Sequence, residues 1–336
     1  MTKRLRLITT GGTIACTSGP FGLMPTLGAR ELIHAVGEGG ADIDCVDLFS
    51  MDSSNIQPEE WCRIAEKTHK SMRDFDGVVI THGTDTMAYT ASMLSFMLLN
   101  PPVPVVLTGA QKPIGALGSD GPGNLRDALE AARLIEGGVY VCFGGRVIRG
   151  CRAVKTRTMS YNAFESINHP DIGVFEDGAF RRVAPAQPPR GKSVFFDEIE
   201  PCVALVKLIP GAMPSTIECL IECGAKGVVV EAFGLGGVHN FRRDHAVSIK
   251  RLIDAGIPVV LASQCLYEPS SPDIYEVSEP LREAGVISAR DMTTEACVTK
   301  LMYALGHTTD IEKVRRIMQT DLCGEVTEQL TIDNHL

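Results

Sequence analysis

GVVITHGTDTMAYTASMLSFML, residues 77–98, opens on the apolar run Val78-Val79-Ile80, turns through Thr81-His82-Gly83-Thr84-Asp85-Thr86 and continues as an apolar helix. A continuous apolar run feeding a helix is the pattern of a parallel strand buried on both faces. Open α/β sheets place ligands at the carboxyl ends of such strands. This turn brings hydroxyls, a carboxylate, an imidazole and a glycine to that end. The glycine lets a ligand or a second backbone approach closely. The plain alternative is an Asp/Thr-rich helix cap.

Toward the N-terminus, RLRLITT (residues 4–10) reads as the first strand and ends in Gly11-Gly12-Thr13-Ile14-Ala15. LITTGGTIA therefore echoes VVITHGTDT: an apolar strand, then Gly-Thr, then helix. If the two strands are neighbours, two threonines face each other across one crevice. Residues 16–28, CTSGPFGLMPTLG, have no period and read as a mobile loop. Residues 29–37 carry a helical apolar face, and 43–49 alternate as a strand before the polar turn Met51-Asp52-Ser53-Ser54-Asn55. Pro58 opens a helix that runs to about Arg73.

On the other side, a strand over 103–107 ends in Thr108-Gly109-Ala110-Gln111-Lys112-Pro113. Residues 124–135 are amphipathic, and 139–143 read as a strand. Residues 144–157 hold five arginines or lysines, Lys155 among them, and 158–183 show weak periodicity. The Pro-rich APAQPPRGK, residues 184–192, is the best linker candidate. Strands over 203–208, 227–232 and 259–262 then alternate with helices over 215–223, 243–255, 294–305 and 311–318. The expected fold is α/β: a larger N-terminal domain over 1–190, a linker within 184–200 and a smaller domain over 201–336. Its sheets are mostly parallel and flanked by helices.

Composition narrows the partners. The net charge of −9 and the absence of a basic stripe argue against nucleic acid. No apolar run approaches the ~20 residues that span a bilayer, and the N-terminus flows straight into a strand rather than reading as a signal peptide. Eleven cysteines without a CxxC read as reduced thiols in a cytoplasmic protein. Scattered histidines give no metal pattern, and HExxH, Walker A and dinucleotide fingerprints are absent. What remains is Thr13, Thr84, Asp85 and Lys155, with Ser53 and Ser54. A threonine hydroxyl is a weak nucleophile until a base takes its proton. A lysine amine can be that base, and Asp85 can orient it, bind a substrate cation, or both. For Lys155 alone, a solvated charge in a basic run is the simpler reading.

TGGTIA (10–15) and GVVITHGTDTM (77–87) resemble the two signature motifs of bacterial-type L-asparaginases. The resemblance extends through MDSSN (51–55), VLTGAQ (106–111) and SDGPGNLRDAL (119–129), and more loosely to DMTTEACVTKL (291–301), so it covers nearly the whole chain. The MDSS form looks more like the cytoplasmic type than the secreted one. The resemblance implies hydrolysis of the asparagine side-chain amide to aspartate and ammonia, without metal or cofactor. It also implies a homotetramer of tight dimers with active sites at the dimer interface.

Carried over by motif, Thr13 matches the usual primary nucleophile. Thr84, Asp85 and Lys155 match a Thr-Lys-Asp constellation. Ser53 and Ser54 match the holders of the substrate α-carboxylate, with the Gly83 backbone nearby, and Asp85 also matches the partner of the α-ammonium. Ala110 matches a position whose backbone lines the amide pocket. Glu276, in DIYEVSE, loosely matches an acid donated by a neighbouring subunit. The two threonines exchanging roles, and direct attack by water, both stay open.

One departure stands out. The family usually places a tyrosine in the loop after the first motif, and Leu23 falls at about its place, with Phe21 beside it. Tyr275 or Glu276 of a partner subunit then substitutes, or activity on asparagine is weak, or the substrate is another amide: glutamine, D-asparagine or a modified asparagine. Glu231 and Ala153-Val154 also depart from the cytoplasmic pattern, which puts an allosteric asparagine site in doubt. A tRNA-dependent amidotransferase subunit on this scaffold would need an extra N-terminal domain. A non-catalytic binder of a small amino acid would need Ser53, Ser54 and Asp85, but neither the threonines nor Lys155.

Overall fold

The computed structural model describes residues 3–19, 22–37, 42–189, 191–270 and 279–327. The chain divides into two compact units, Met1–Asp197 and Glu198–Leu336. The first is built on β1 (Arg4–Gly11), β2 (Asp42–Met51), β3 (Gly77–Thr81), β4 (Pro104–Thr108), β5 (Gly138–Phe143), β6 (Arg146–Arg149), β7 (Gly173–Glu176) and β8 (Ala179–Arg182). They form one eight-stranded sheet in the order β8-β7-β6-β5-β4-β3-β1-β2. The strands from β5 to β2 are parallel, and β6 to β8 add an antiparallel edge.

Burial explains why the parallel strands read as unbroken apolar runs. Every residue of β3 and β4 is buried, because helices cover both faces of a parallel sheet. Helices α1 (Ala29–Val36) and α4 (Gly121–Leu134) set Leu32, Leu125 and Ala128 against Leu5, Leu7, Val79 and Val106. Side chains alternate along a strand, so Val78 and Ile80, also fully buried, point to the opposite face. Each such aliphatic side chain contributes roughly 1.5–3 kcal/mol on burial. Helix α2 (Pro58–Ser71) begins with Pro58, Glu59 and Glu60 and ends with His69 and Lys70, which matches its dipole. Helix α3 (Met87–Met97) follows the β3 turn and is buried almost all round.

Two stretches differ from their sequence reading. The described part of 16–28 is paired: Cys16–Gly19 runs antiparallel to Gly22–Pro25, and Thr26 and Leu27 both donate backbone N–H groups to the Ala15 carbonyl. The weakly periodic 158–183 contains Phe164–Ser166 besides β7 and β8. Arms of three or four residues are too short to display a two-residue period. The start of the Pro-rich stretch is tied into the first unit: Ala184 is buried in its core, and Gln187 N–H donates to Glu136 at 2.9 Å.

The second unit is a smaller parallel sheet of β9 (Val203–Lys207), β10 (Gly227–Ala232), β11 (Val259–Ser263) and β12 (Ile287–Ser288), in that order. Around it lie α5 (Ser215–Glu222), α6 (His245–Asp254), α7 (Glu279–Ala284), α8 (Thr294–His307) and α9 (Ile311–Gln319). Val228, Val230, Ile249, Leu252 and Leu261 form its core. Among the described residues no helix is long and apolar enough to cross a membrane.

Candidate active site

Strand β1 leads to β2 on one side, whereas β3, β4 and β5 build outward on the other. The order reverses between β1 and β3, and open α/β sheets hold their ligand crevice at that point. The register aligns the ends there: Thr9 pairs with Thr81, and Thr81 with Thr108. The two Gly-Thr turns leave from these two neighbouring strands.

Close backbone contact explains the glycines. Gly12 has φ 76°, and a Cβ there would collide with the backbone of Gly83. A Cβ on Gly83 would lie 2.5 Å from Ser53 Oγ. The turns after β1, β2 and β3 are thus in mutual contact, and a side chain at either glycine would push them apart. Thr86 Oγ1 donates to the Ser53 carbonyl at 2.7 Å and ties the turn after β3 to the turn after β2.

Thr84 is 6% exposed, at the floor of this junction. Lys155, on the short strand Ala153–Lys155, donates from Nζ to Thr84 Oγ1 at 2.7 Å and to Asp85 Oδ1 at 2.6 Å. The lysine side chain is 15% exposed and the Asp85 side chain 65%. An ion pair this open is worth under about 1 kcal/mol, so it orients the amine more than it stabilises the fold. Thr84 Oγ1 in turn donates to Gln111 Oε1 at 3.4 Å. Gln111 is fixed from both ends. Its Nε2 donates to the Thr158 and Ser160 carbonyls, and its backbone N–H donates to Asp120.

Thr13 lies in a tight turn between buried neighbours, half-buried itself, and its hydroxyl has no hydrogen-bond partner among the described residues. The two serines part company. Ser53 is buried against Gly83. Ser54 is exposed, and its hydroxyl and N–H both donate to Asp52, which holds that carboxyl below its ordinary range. Ala110 is fully buried, one residue before Gln111. Leu23 sits opposite Ser18 on the ribbon and is 54% exposed. Phe21, Tyr275 and Glu276 lie outside the described residues.

Gln111, Asp120 and Asn124 were visible in the sequence without a role. Asn124 Nδ2 donates to the Gly109 carbonyl at 3.0 Å and its Oδ1 accepts from Gly144 N–H at 3.0 Å, which pins the turns after β4 and β5. The signals for Gln111 were its place just beyond a strand's carboxyl end and in the VLTGAQ stretch.

The family model for the asparaginase N-terminal domain matches residues 4–186, and that for the glutaminase/asparaginase C-terminal domain matches 202–318. The chain belongs to the asparaginase family. An L-asparaginase of Thermococcus kodakarensis is 41% identical over 330 residues, 96% of this chain and 99% of that protein. The solved structure of the thermostable L-asparaginase from the same species superposes with a TM-score of 0.92 at 40% identity, over 97% of this chain and 100% of the other. A glutamyl-tRNA(Gln) amidotransferase subunit of Pyrococcus furiosus is 38% identical over 338 residues, 96% of this chain and 76% of that protein. This asparaginase-family chain is an amidohydrolase, and its two signature turns are those that meet at the β1/β3 switch point.

Proposed function

We propose that the enzyme hydrolyses the side-chain amide of L-asparagine to L-aspartate and ammonia, with Thr13 as nucleophile. The observation that carries this reading is the contact of Lys155 Nζ with Thr84 Oγ1 at 2.7 Å, beside Asp85, in the crevice that also holds the Thr13 turn. The Thr84 hydroxyl is already held by Lys155 and Gln111. The Thr13 hydroxyl is uncommitted among the described residues, which favours it for attack.

Thr13 Oγ adds to the amide carbon and gives up its proton. The tetrahedral carbon expels the amine, which takes that proton and leaves as ammonia. Backbone N–H groups of the turns stabilise the oxyanion. A water near Thr84 then loses a proton to the Lys155–Asp85 pair and adds to the ester. Collapse of that second adduct returns the proton to Thr13 and frees aspartate. Asp85 orients the lysine and takes the substrate α-ammonium, while Ser53 and Gly83 face the α-carboxylate.

Ammonia release from L-asparagine tests the reading, with L-glutamine and D-asparagine in parallel. Thr13→Ala and Thr84→Ala should each lower turnover by several orders of magnitude and leave the fold intact. Near-wild-type turnover in either variant would remove it. The likeness to the amidotransferase subunit favours a second reading, an amidase acting for a tRNA-dependent amidotransferase; robust turnover of free asparagine argues against it.

A homotetramer is part of the same proposal. The loops after β9, β10 and β11 expose Ile209, Met213, Phe241, Leu266 and Tyr267, the type of surface that buries against a partner. Light scattering of the purified enzyme measures the mass. Eleven cysteines with no disulfide support a reducing, cytoplasmic setting.

A further inference from the structure

Behind the second signature turn lies a buried chain of three polar side chains. Trp61 Nε1 is 3.0 Å from Thr90 Oγ1, Thr90 Oγ1 is 3.0 Å from His82 Nε2, and His82 Nδ1 is 2.7 Å from the Gly83 carbonyl oxygen. His82 and Thr90 are fully buried and Trp61 is 6% exposed. Every proton in this chain has one possible place. A carbonyl only accepts, so His82 Nδ1 carries the hydrogen. Neutral imidazole has one N–H, so Nε2 is bare and accepts from the Thr90 hydroxyl. Indole only donates, so Trp61 N–H points at Thr90. The direction runs from Trp61 through Thr90 and His82 to Gly83.

The consequence falls on the next peptide bond. In a planar trans peptide the C=O and the following N–H point opposite ways. With the Gly83 carbonyl turned to the buried imidazole, the Thr84 N–H turns away from it. That N–H has no hydrogen-bond partner among the described residues. It belongs to the residue whose hydroxyl meets Lys155.

We propose that His82 is a positioning residue: backed by Thr90 and Trp61, it locks the Gly83–Thr84 peptide so that the Thr84 N–H faces the crevice as a donor to the substrate's carbonyl oxygen. This rests on the crevice being the amidase site. His82 touches no substrate and acts through the peptide alone. Gly83 is required on one side by its contact with Ser53, and His82 holds the other.

The test is a graded series. His82→Phe keeps the bulk and loses the donor. His82→Asn keeps an amide N–H near the Nδ1 position. Losing one preorganised backbone donor costs ~10²-fold or more in turnover. His82→Phe should therefore lower kcat about 100-fold with KM changed less than about threefold, and His82→Asn should recover about tenfold of that loss. Thr90→Val and Trp61→Phe, which free only the far side of the ring, should cost about three- to tenfold. Equal losses in the Phe and Asn variants with a raised KM, or wild-type kcat in His82→Phe, would overturn the proposal.

The protein has a single tryptophan, so nitrogen-15 NMR gives one indole N–H signal, which reads the chain without substrate. His82 should show the Nδ1–H tautomer, and His82→Phe should shift the indole resonance. An Nε2–H tautomer overturns the proposal whether or not asparagine is turned over. Absence of ammonia release by the wild type, with the Nδ1–H tautomer present, defeats the functional reading and leaves the chain itself supported.

Discussion

Two lysine–carboxylate pairs of nearly equal length serve opposite ends in this molecule. Lys155 meets Asp85 at 2.6 Å in the crevice of the first unit, with side chains 15% and 65% exposed. Lys300 meets Glu325 at 2.5 Å inside the second unit, both fully buried. Lys300 also donates to the Met318 and Thr320 carbonyls, and Glu325 accepts from the backbone N–H groups of Leu322 and Cys323. Burial alone would raise the Glu325 carboxyl, but the Lys300 charge and these donors overcome it and hold the group ionised, below its ordinary range. The buried pair is closed, with each ammonium proton and both carboxylate oxygens used, and it fastens residues 318–325 to α8. The crevice pair is open: its third partner is a hydroxyl, and the outer oxygen of Asp85 faces solvent. A closed pair stabilises, and an open one is available for chemistry.

Neutralising the two lysines should separate these roles most sharply. Lys155→Met should cut kcat by about 10³-fold, within the range for loss of a general base, and shift stability by under about 1 kcal/mol. Lys300→Met should do the reverse. It leaves Glu325 charged, buried and unpaired, a change worth about 3–5 kcal/mol, while the folded fraction keeps its kcat. Steady-state assays and urea unfolding of both variants check this. If Lys300→Met were as stable as wild type, the closed pair would have no structural role.

The contrast also marks what the sequence displayed. The strands that carry Thr9, Thr81 and Thr108 were legible from their apolar runs, and the Gly-Thr turns from the hydroxyl, carboxylate and imidazole groups that cluster there. The edge strands β6 to β8 were not, being four residues each. Nor was the Lys300–Glu325 pair. Lys300 stands in an apolar helix as any snorkelling lysine does, and its partner comes from a loop past α9. Residues 296–305 of α8 are all buried, the lysine included, and only the structure shows this. Gln111 and His82 stood in quoted motifs, yet their partners, 158–160 and Thr90 with Trp61, are set by tertiary packing and not by spacing.

His82 supplies the case of a buried base with no counter-charge among the described residues. Burial lowers its pKa to about 4, against the weaker pull of the Gly83 carbonyl. The unfolded chain binds this proton near pH 6.5 and the folded one only near 4, so stability is complete above 6.5 and drains away as pH falls toward 4. The loss is ~3 kcal/mol across that window. Urea unfolding at pH 7 and 4.5 should show a steeper fall for wild type than for His82→Asn, which has nothing to titrate there. Equal slopes would mean that the imidazole charges without cost and the directional chain does not exist.

The smallest effect belongs to a pair exposed on both sides. Lys250 and Asp254, one turn apart on α6, meet at 2.8 Å with side chains 58% and 59% exposed. Contact length matches the other two pairs within a few tenths of an ångström, so it isolates burial as the variable. Water already solvates both ions, and holding two long side chains in one geometry costs about what the attraction returns. Lys250→Ala should change unfolding free energy by under about 0.5 kcal/mol and leave ammonia release untouched. A loss near that of Lys300→Met would mean that N···O distance, rather than the number of donors and acceptors removed from water, ranks these pairs, and the division into closed and open would fail with it.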